Sequence, residues 1–289
     1  ALAVWDNQQK ELTLARDRLG EKPLYYGWQG NPSNPVFLFG SDLAALKCHP
    51  AFRAEINRQA LALYLRFNSV GGELSIYEGI HKLLPGHLLT VSLAKRSLDS
   101  TAYWSLVDVA QNGANKPFTG TDQEAISMLE QKLLHAVGQQ TISDVPLGAF
   151  LSGGIDSTTV VALMQKQSSR PVKTFTIGFQ EPGYNEAVHA AAVAKHLGTD
   201  HTELYIAPEE ARAVIPELPR LYAEPFADSS QIPTYLVSQL ACQHVTVTLS
   251  GDGGDELFGG YNRYAVTAQL WHRLARIPVP IRRLLANGI

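Results

Sequence analysis

Two cysteines, Cys48 and Cys242, are all that a chain of 289 residues contains. They are too few and too far apart for a disulfide framework or a zinc site, a usage that fits a reducing compartment. No run of about eighteen apolar residues is present, so no membrane-spanning helix is expected. The start Ala1-Leu2-Ala3-Val4-Trp5-Asp6 has neither the basic nor the long apolar region of a signal peptide. Cytoplasm is the expected location, with no membrane partner. An excess of one charge is lacking too: 24 Lys and Arg against 27 Asp and Glu leave a formal charge of -3, no footprint for nucleic acid. What is there, 45% hydrophobic and 18% charged residues, is ordinary globular composition, at a length that favours two domains.

The pattern changes along the chain. Its first part holds short strand-like stretches at Leu2 to Trp5, Glu11 to Ala15, Leu24 to Trp28, Val36 to Phe39 and His87 to Leu93, broken by turn signals such as Gly30-Asn31-Pro32. One helix, Asn57 to Phe67, interrupts them, with Asn57 placed to cap its first turn. Gln111-Asn112-Gly113-Ala114-Asn115-Lys116-Pro117 reads as linker. Beyond it helices and strands alternate. Thr121-Asp122-Gln123-Glu124 starts a helix to about Gln139, and strands follow at Val145 to Leu151, Val172 to Gly178, Glu203 to Ile206 and Val245 to Leu249. Further helices are expected over Tyr184 to Leu197 and Gln231 to His244. This half is predicted to be a layered α/β domain with a mostly parallel sheet, in which ligands sit at the carboxyl ends of strands.

Two glycine-rich loops lie at such ends. The first, Ser152-Gly153-Gly154-Ile155-Asp156-Ser157, joins an apolar strand to a helical pattern. Its glycines let the backbone fold tightly, while free amides at the helix start and the hydroxyls of Ser152 and Ser157 can face a polyphosphate. Asp156 would repel a phosphate unless a hard cation lay between, which suggests magnesium. The Gly-Lys-Ser/Thr ending of a Walker A loop is absent. An ordinary glycine-serine turn capping a helix is the bland alternative. The second loop, Ser250-Gly251-Asp252-Gly253-Gly254-Asp255-Glu256-Leu257-Phe258-Gly259-Gly260-Tyr261, interleaves glycines with three carboxylates, a costly way to stabilise a fold. A calcium-type loop and a nucleotide-proximal magnesium loop both explain that cost, though the spacing is not that of an EF-hand.

Ser152 to Ser157 resembles the pyrophosphate loop of the N-type ATP pyrophosphatases, and Ser250 to Tyr261 resembles the corresponding element of the glutamine-dependent asparagine synthetases. Arg16 to Tyr26 and Gly79 to His87 resemble the later part of that family's amino-terminal glutaminase domain, and Glu224 to Ser230 its stretch lining the substrate pocket. The resemblance implies an α/β fold. A layered parallel-sheet ATP pyrophosphatase domain over 122–289, shortened at its carboxyl end, would follow the later part of a strand-rich α+β glutaminase domain over 1–108 and a linker over 109–121.

Carried over residue by residue, the resemblance assigns Ser152, Gly153, Gly154 and Ser157 to the phosphates of ATP, and Asp156 and Asp255 to the magnesium ion. Phe150 and Ile177 would border the adenine, although strand ends of this kind are as readily plain core. Ser250 and Gly251 would contact the nucleotide. Asp252 takes the acidic position tied to forming the acyl-adenylate, where some members carry the longer glutamate. Glu224, Asp228, Ser229 and Ser230 would line the amino-acid pocket, with a solvated polar loop capping the next helix as the alternative. His81, His87 and His201 have no spacing that suggests a metal or a general base.

The implied activity is ATP-dependent amidation of aspartate to asparagine, with ammonia from glutamine passing internally to the second site and AMP and pyrophosphate released. Another amidotransferase or ligase of the same scaffold, β-lactam-forming or sugar-modifying, is the alternative, as is a non-catalytic truncated nucleotide-binding module. A homodimer is carried as the expected assembly. The family's glutaminase nucleophile is a residue-one cysteine, whereas Ala1 stands here and Cys48 has no free α-amine. The expectation is therefore a fragment of a longer protein, without glutaminase activity of its own.

Overall fold

A computed structural model describes residues 1–179 and 185–286, which divide into two compact units. Unit 1 comprises 1–121 and 213–231, and unit 2 comprises 122–212 and 232–289.

In unit 1 the alternating sequences become antiparallel strands: β1 (Leu2–Asp6), β2 (Glu11–Ala15), β3 (Tyr25–Asn31), β4 (Asn34–Gly40), β5 (His81–Lys82), β6 (His87–Ser92) and β7 (Ser97–Ala102). They form one sheet of order β1-β2-β6-β7 and another of order β4-β3-β5. Leu12 pairs with Val91 and Leu14 with Leu89, which turns four apolar side chains to one face. That face is buried with Leu24 and Leu83, and with Tyr26, Trp28 and Phe37 of the second sheet. A second core holds Tyr25, Leu38 and Ile80 with the helix residues Leu43, Leu46 and Ala60. Helix Arg58–Phe67 starts where Asn57 caps it, its Oδ1 accepting from the amides of Gln59 and Ala60 at 2.9 and 3.0 Å.

Three differences from the sequence reading have physical causes. Strand β7 is exposed along its whole length and mostly polar, laddered to β6, so it carries no alternating hydrophobic pattern. The expected linker is helical through Asn115: Leu106–Asn115 is capped by Ser105, whose Oγ accepts from the Asp108 amide at 3.2 Å. The stretch Ala213–Gln231, assigned from sequence to the second domain, groups with unit 1.

Unit 2 carries β8 (Leu147–Phe150), β9 (Lys173–Phe179), β10 (Asp200–Ile206) and β11 (Val247–Leu249) in one sheet of order β10-β9-β8-β11, every pair parallel. Such strands are covered on both faces and read as continuous apolar runs. One face packs Ala149, Leu151, Val161, Met164, Ala190 and Val137. These come from β8 and its extension and from helices Asp122–Gln140, Ile155–Gln167 and Ala187–Leu197. The other face packs Phe175 against Leu240 and Ala241 of helix Gln231–Ala241, and against Val245. The helix expected from Tyr184 is seen from Ala187; Tyr184 itself lies outside the described residues.

At the amino ends of β9 and β10, His201 lies opposite Thr174, and its Nδ1 is 2.8 Å from the Thr174 hydroxyl. Its Nε2 is buried and has no hydrogen-bond partner among the described residues; the charged group facing it is Glu203, 3.9 Å away. Burial holds the imidazole below its ordinary value, against the opposing pull of Glu203. A lowered folded-state pKa makes this contribution to stability complete above the unfolded value near 6.5, and progressively lost as pH falls below it. The melting temperature should therefore drop between pH 7.5 and 5.5, and drop less in His201→Asn, which keeps an acceptor near Nδ1 without the titrating ring. Parallel pH curves for the two proteins would contradict this.

Candidate functional site

The carboxyl ends of adjacent strands β8 and β11 deliver both glycine loops to one place in unit 2. Strand β8 leaves the sheet at Leu151, whose amide donates to Phe175 O at 3.0 Å and whose carbonyl accepts from the buried Thr176 hydroxyl. Thr176 is a site-supporting residue that sequence reasoning missed; a hydroxyl among the buried positions of β9 was the available signal.

The chain then reverses through Gly153 at φ +81°, a left-handed conformation that side-chain-bearing residues avoid. A Cβ there would also stand 2.8 Å from His189 Cβ and from the Ala190 amide nitrogen of the neighbouring helix. Helix Ile155–Gln167 begins at Gly154 with no side-chain cap, so its first amides are not taken up by a capping residue. The hydroxyls of Ser152 and Ser157 lie 2.9 Å apart, and Ser157 Oγ accepts from the Ser152 amide at 3.2 Å while Ser152 Oγ accepts from that of Gly154 at 3.2 Å. Hydroxyls tie the turn together and the helix presents free N–H groups and a positive dipole end, the makings of an anion cradle. Asp156 is half-buried in the helix's first turn.

The second loop rests directly on the first. Gly251 lies so close that a Cβ on it would be 2.6 Å from the Ser157 amide nitrogen and 2.9 Å from the Asp156 carbonyl carbon. Gly254 stands against the Asp156 carboxylate in the same way. Ser250 Oγ donates to Asp252 Oδ2 at 3.0 Å, which orients an otherwise exposed carboxylate. Asp255 lies in the first turn of the short helix Gly254–Phe258, and its carboxylate abuts the backbone of Gly260. Glu256 accepts from the Tyr261 hydroxyl at 2.7 Å. That bond holds the Glu256 carboxyl below its usual range and pushes the Tyr261 phenol up to about 12. Among the described residues no three His, Cys, Asp or Glu side chains gather as a metal site.

Phe150 and Ile177 sit half-buried near the carboxyl ends of β8 and β9; Phe150 also packs with Phe175 and Leu240 in the core. Of the residues expected to line an amino-acid pocket, Glu224 is committed within unit 1. Its Oε2 pairs with Lys82 Nζ at 2.6 Å, with the two side chains only 14% and 11% exposed, and its Oε1 accepts from the Ile76 amide at 2.8 Å. Burial, followed by the charge of Glu224, pushes the adjoining Tyr25 phenol up. A cavity of about 390 Å³ beside this pair is lined by Tyr25, Asp42, Val70, Tyr222, Glu224 and Phe226. Asp228 accepts from the Ser230 amide at 2.8 Å just before helix Gln231–Ala241, and this contact lowers its pKa. Ser229 and Ser230 are exposed.

Residues 128–288 match the family described as asparagine synthase, and residues 1–104 match the glutamine amidotransferase domain. A Methanocaldococcus jannaschii relative assigned the name asparagine synthetase (glutamine-hydrolyzing) 2 is 38% identical over 90% of this chain and 49% of its own length. Asparagine synthetase (glutamine-hydrolyzing) 1 of Bacillus subtilis is 33% identical over 99% of this chain and 43% of its own. The chain thus spans about half the length of the curated relatives it matches. Amidase chyE of Penicillium rubens is more distant, 29% identical over 91% of this chain and 40% of its own. The asparagine synthase match takes in both glycine loops and the parallel sheet that carries them, and on that ground the chain belongs to the asparagine synthase family.

Proposed function

We propose that the intact protein amidates aspartate to asparagine at the expense of ATP, with ammonia drawn from glutamine by the amidotransferase domain. The observation that carries the reading is the contact between the two loops, which sets the amino end of helix Ile155–Gln167 beside a carboxylate-bearing loop at the mouth of a parallel sheet.

The first-turn amides of that helix, with Ser152, Gly153, Gly154 and Ser157, hold the β- and γ-phosphates. Phe150 and Ile177 border the base, and Ser250 and Gly251 the rest of the nucleotide. Asp156 and Asp255 are hard oxygen donors on touching loops, a set that fits magnesium, an ion commonly held by one or two carboxylates plus substrate phosphates. When bound, magnesium supplies charge neutralisation for the departing pyrophosphate. Glu224, paired with Lys82, and Asp228, bound to the Ser230 amide, lie in unit 1, whereas every group assigned to ATP and magnesium lies in unit 2.

The chemistry follows from aspartate's lack of a leaving group. An oxygen of its side-chain carboxylate attacks the α-phosphorus, the bond to the β-phosphate oxygen breaks, and pyrophosphate leaves. Ammonia then adds through its lone pair to the acyl carbon, loses a proton, and expels AMP as the C–O bond breaks. Asp252, aimed by Ser250, is the group assigned to the adenylation step. Asp252→Asn should slow aspartate-dependent pyrophosphate release by about 10²- to 10³-fold, the usual cost of one preorganised group, while ATP binding measured by calorimetry stays nearly unchanged. Normal turnover would remove Asp252 from the mechanism. Pyrophosphate release that ignores aspartate but answers to another carboxylate would replace the substrate.

A further inference from the structure

Helix Gly254–Phe258 is five residues long and buries none of them, so it has little packing of its own to fix its rotation. It nevertheless carries Asp255, on whose direction the magnesium reading depends. The chain that follows it makes two grips. Gly260 donates its amide to the Asp255 carbonyl at 3.0 Å, and its backbone stands so near the Asp255 carboxylate that a Cβ would overlap Oδ1. Tyr261 donates its hydroxyl to Glu256 Oε1 at 2.7 Å. The Tyr261 ring is itself held, with the Arg263 guanidinium 4.2 Å above it and Tyr264 edge-on at 5.5 Å. Consecutive residues 260 and 261 therefore hold consecutive residues 255 and 256. Neighbours on a helix point about 100° apart, so Glu256, turned to Tyr261, serves as a handle in one direction while the Asp255 carboxylate lies in another, against the Gly260 backbone.

Resting on the proposed ATP and magnesium site, we infer that Tyr261 is a positioning residue: through Glu256 it sets the rotation of this short helix and hence the aim of the Asp255 carboxylate at the metal. Tyr261→Phe removes only the hydroxyl. Glu256→Gln keeps the shape of the handle and weakens its bond.

The test is calorimetry of ATP binding to the intact protein at stepped Mg2+ concentrations, with thermal melting alongside. Tyr261→Phe should raise the Mg2+ concentration for half-maximal ATP binding roughly three- to tenfold, the scale of one lost hydrogen bond. Saturating Mg2+ should restore wild-type ATP affinity, and the melting temperature should not move. Glu256→Gln should act in the same direction, and the double variant should be no worse than the more affected single one, because both changes break one link. A wild-type Mg2+ curve for Tyr261→Phe, in a protein whose curve Asp255→Asn does shift, would overturn the inference and leave the site standing. Glu256→Gln as damaging as Asp255→Asn would overturn it too, by making Glu256 a ligand. An unmoved curve in Asp255→Asn would bring down the metal reading and the inference with it.

Discussion

Replacing Gly251 by alanine should reduce ATP-dependent turnover by about a hundredfold or more without unfolding the protein, since displacements near an ångström cost on this scale when reacting groups must be held in place. Gly251 has no positive φ, so alanine fits its backbone; what alanine does not fit is the space. The added Cβ would meet the Ser157 amide nitrogen at 2.6 Å and the Asp156 carbonyl carbon at 2.9 Å, where ordinary contact begins near 3.4 Å. Both obstacles are backbone within the first turn of helix Ile155–Gln167, so they cannot swing aside as a side-chain tip would. The loops must separate by most of an ångström, carrying Asp255 away from Asp156 and Asp252 away from the bound nucleotide. Overpacking of this kind costs about 1–3 kcal/mol of stability, small enough for circular dichroism to show a folded protein. Wild-type turnover in Gly251→Ala would mean that the contact between the loops has no part in the chemistry.

Asp156→Asn should weaken magnesium-dependent ATP binding by at least about tenfold, and on the order of a hundredfold if both of its oxygens are used, given that even supporting groups around metals cost tenfold to a hundredfold. The substitution keeps the size and the half-buried position of the side chain and removes the charge. It also removes a negative charge from a helix amino end, where such charges are favourable by about 0.3–1 kcal/mol, so a slightly lower melting temperature should accompany the loss of binding. The charge argument has a second arm. Without magnesium, Asp156 repels the phosphates, so Asp156→Asn should bind metal-free ATP no worse than wild type, and better at low ionic strength. Equal magnesium dependence in the two proteins, read by calorimetry, would contradict the assignment of Asp156.

Local chemistry made much of this site legible in the sequence. Glycines beside carboxylates at the ends of β-branched or apolar runs mark loops at strand ends, and the parallel sheet places those ends together. Asn57 announced a helix start by the same local logic. Pairings between distant residues were not legible. Glu224, expected to line an amino-acid pocket or to sit in a solvated loop, gave no sign of its ion pair because its partner Lys82 lies 142 positions earlier, and only the fold joins them. Helix Leu106–Asn115 was hidden by Gly113 and the polar run around it; its apolar residues Leu106, Val109 and Ala110 fall at helical spacing only in the first turns, and the helix buries none of them. The strand expected from Val245 starts at Val247, because the Val245 amide still donates to the carbonyl of Ala241 at the preceding helix end. The role of Tyr261 was masked by its own motif. As part of a glycine-rich run it reads as loop, and only the 2.7 Å bond to Glu256 separates a brace from a bystander.

If aspartate attacks the α-phosphorus at the two-loop site, one of its side-chain oxygens must end in AMP, and isotope transfer reads this. The intact protein is given aspartate labelled with 18O in its side-chain carboxylate, together with ATP, magnesium and ammonia, and the products are read by mass spectrometry. One 18O in AMP for each asparagine formed, with unlabelled pyrophosphate, is the predicted result; label in inorganic phosphate accompanied by ADP, or asparagine formed with no label in AMP, would contradict it.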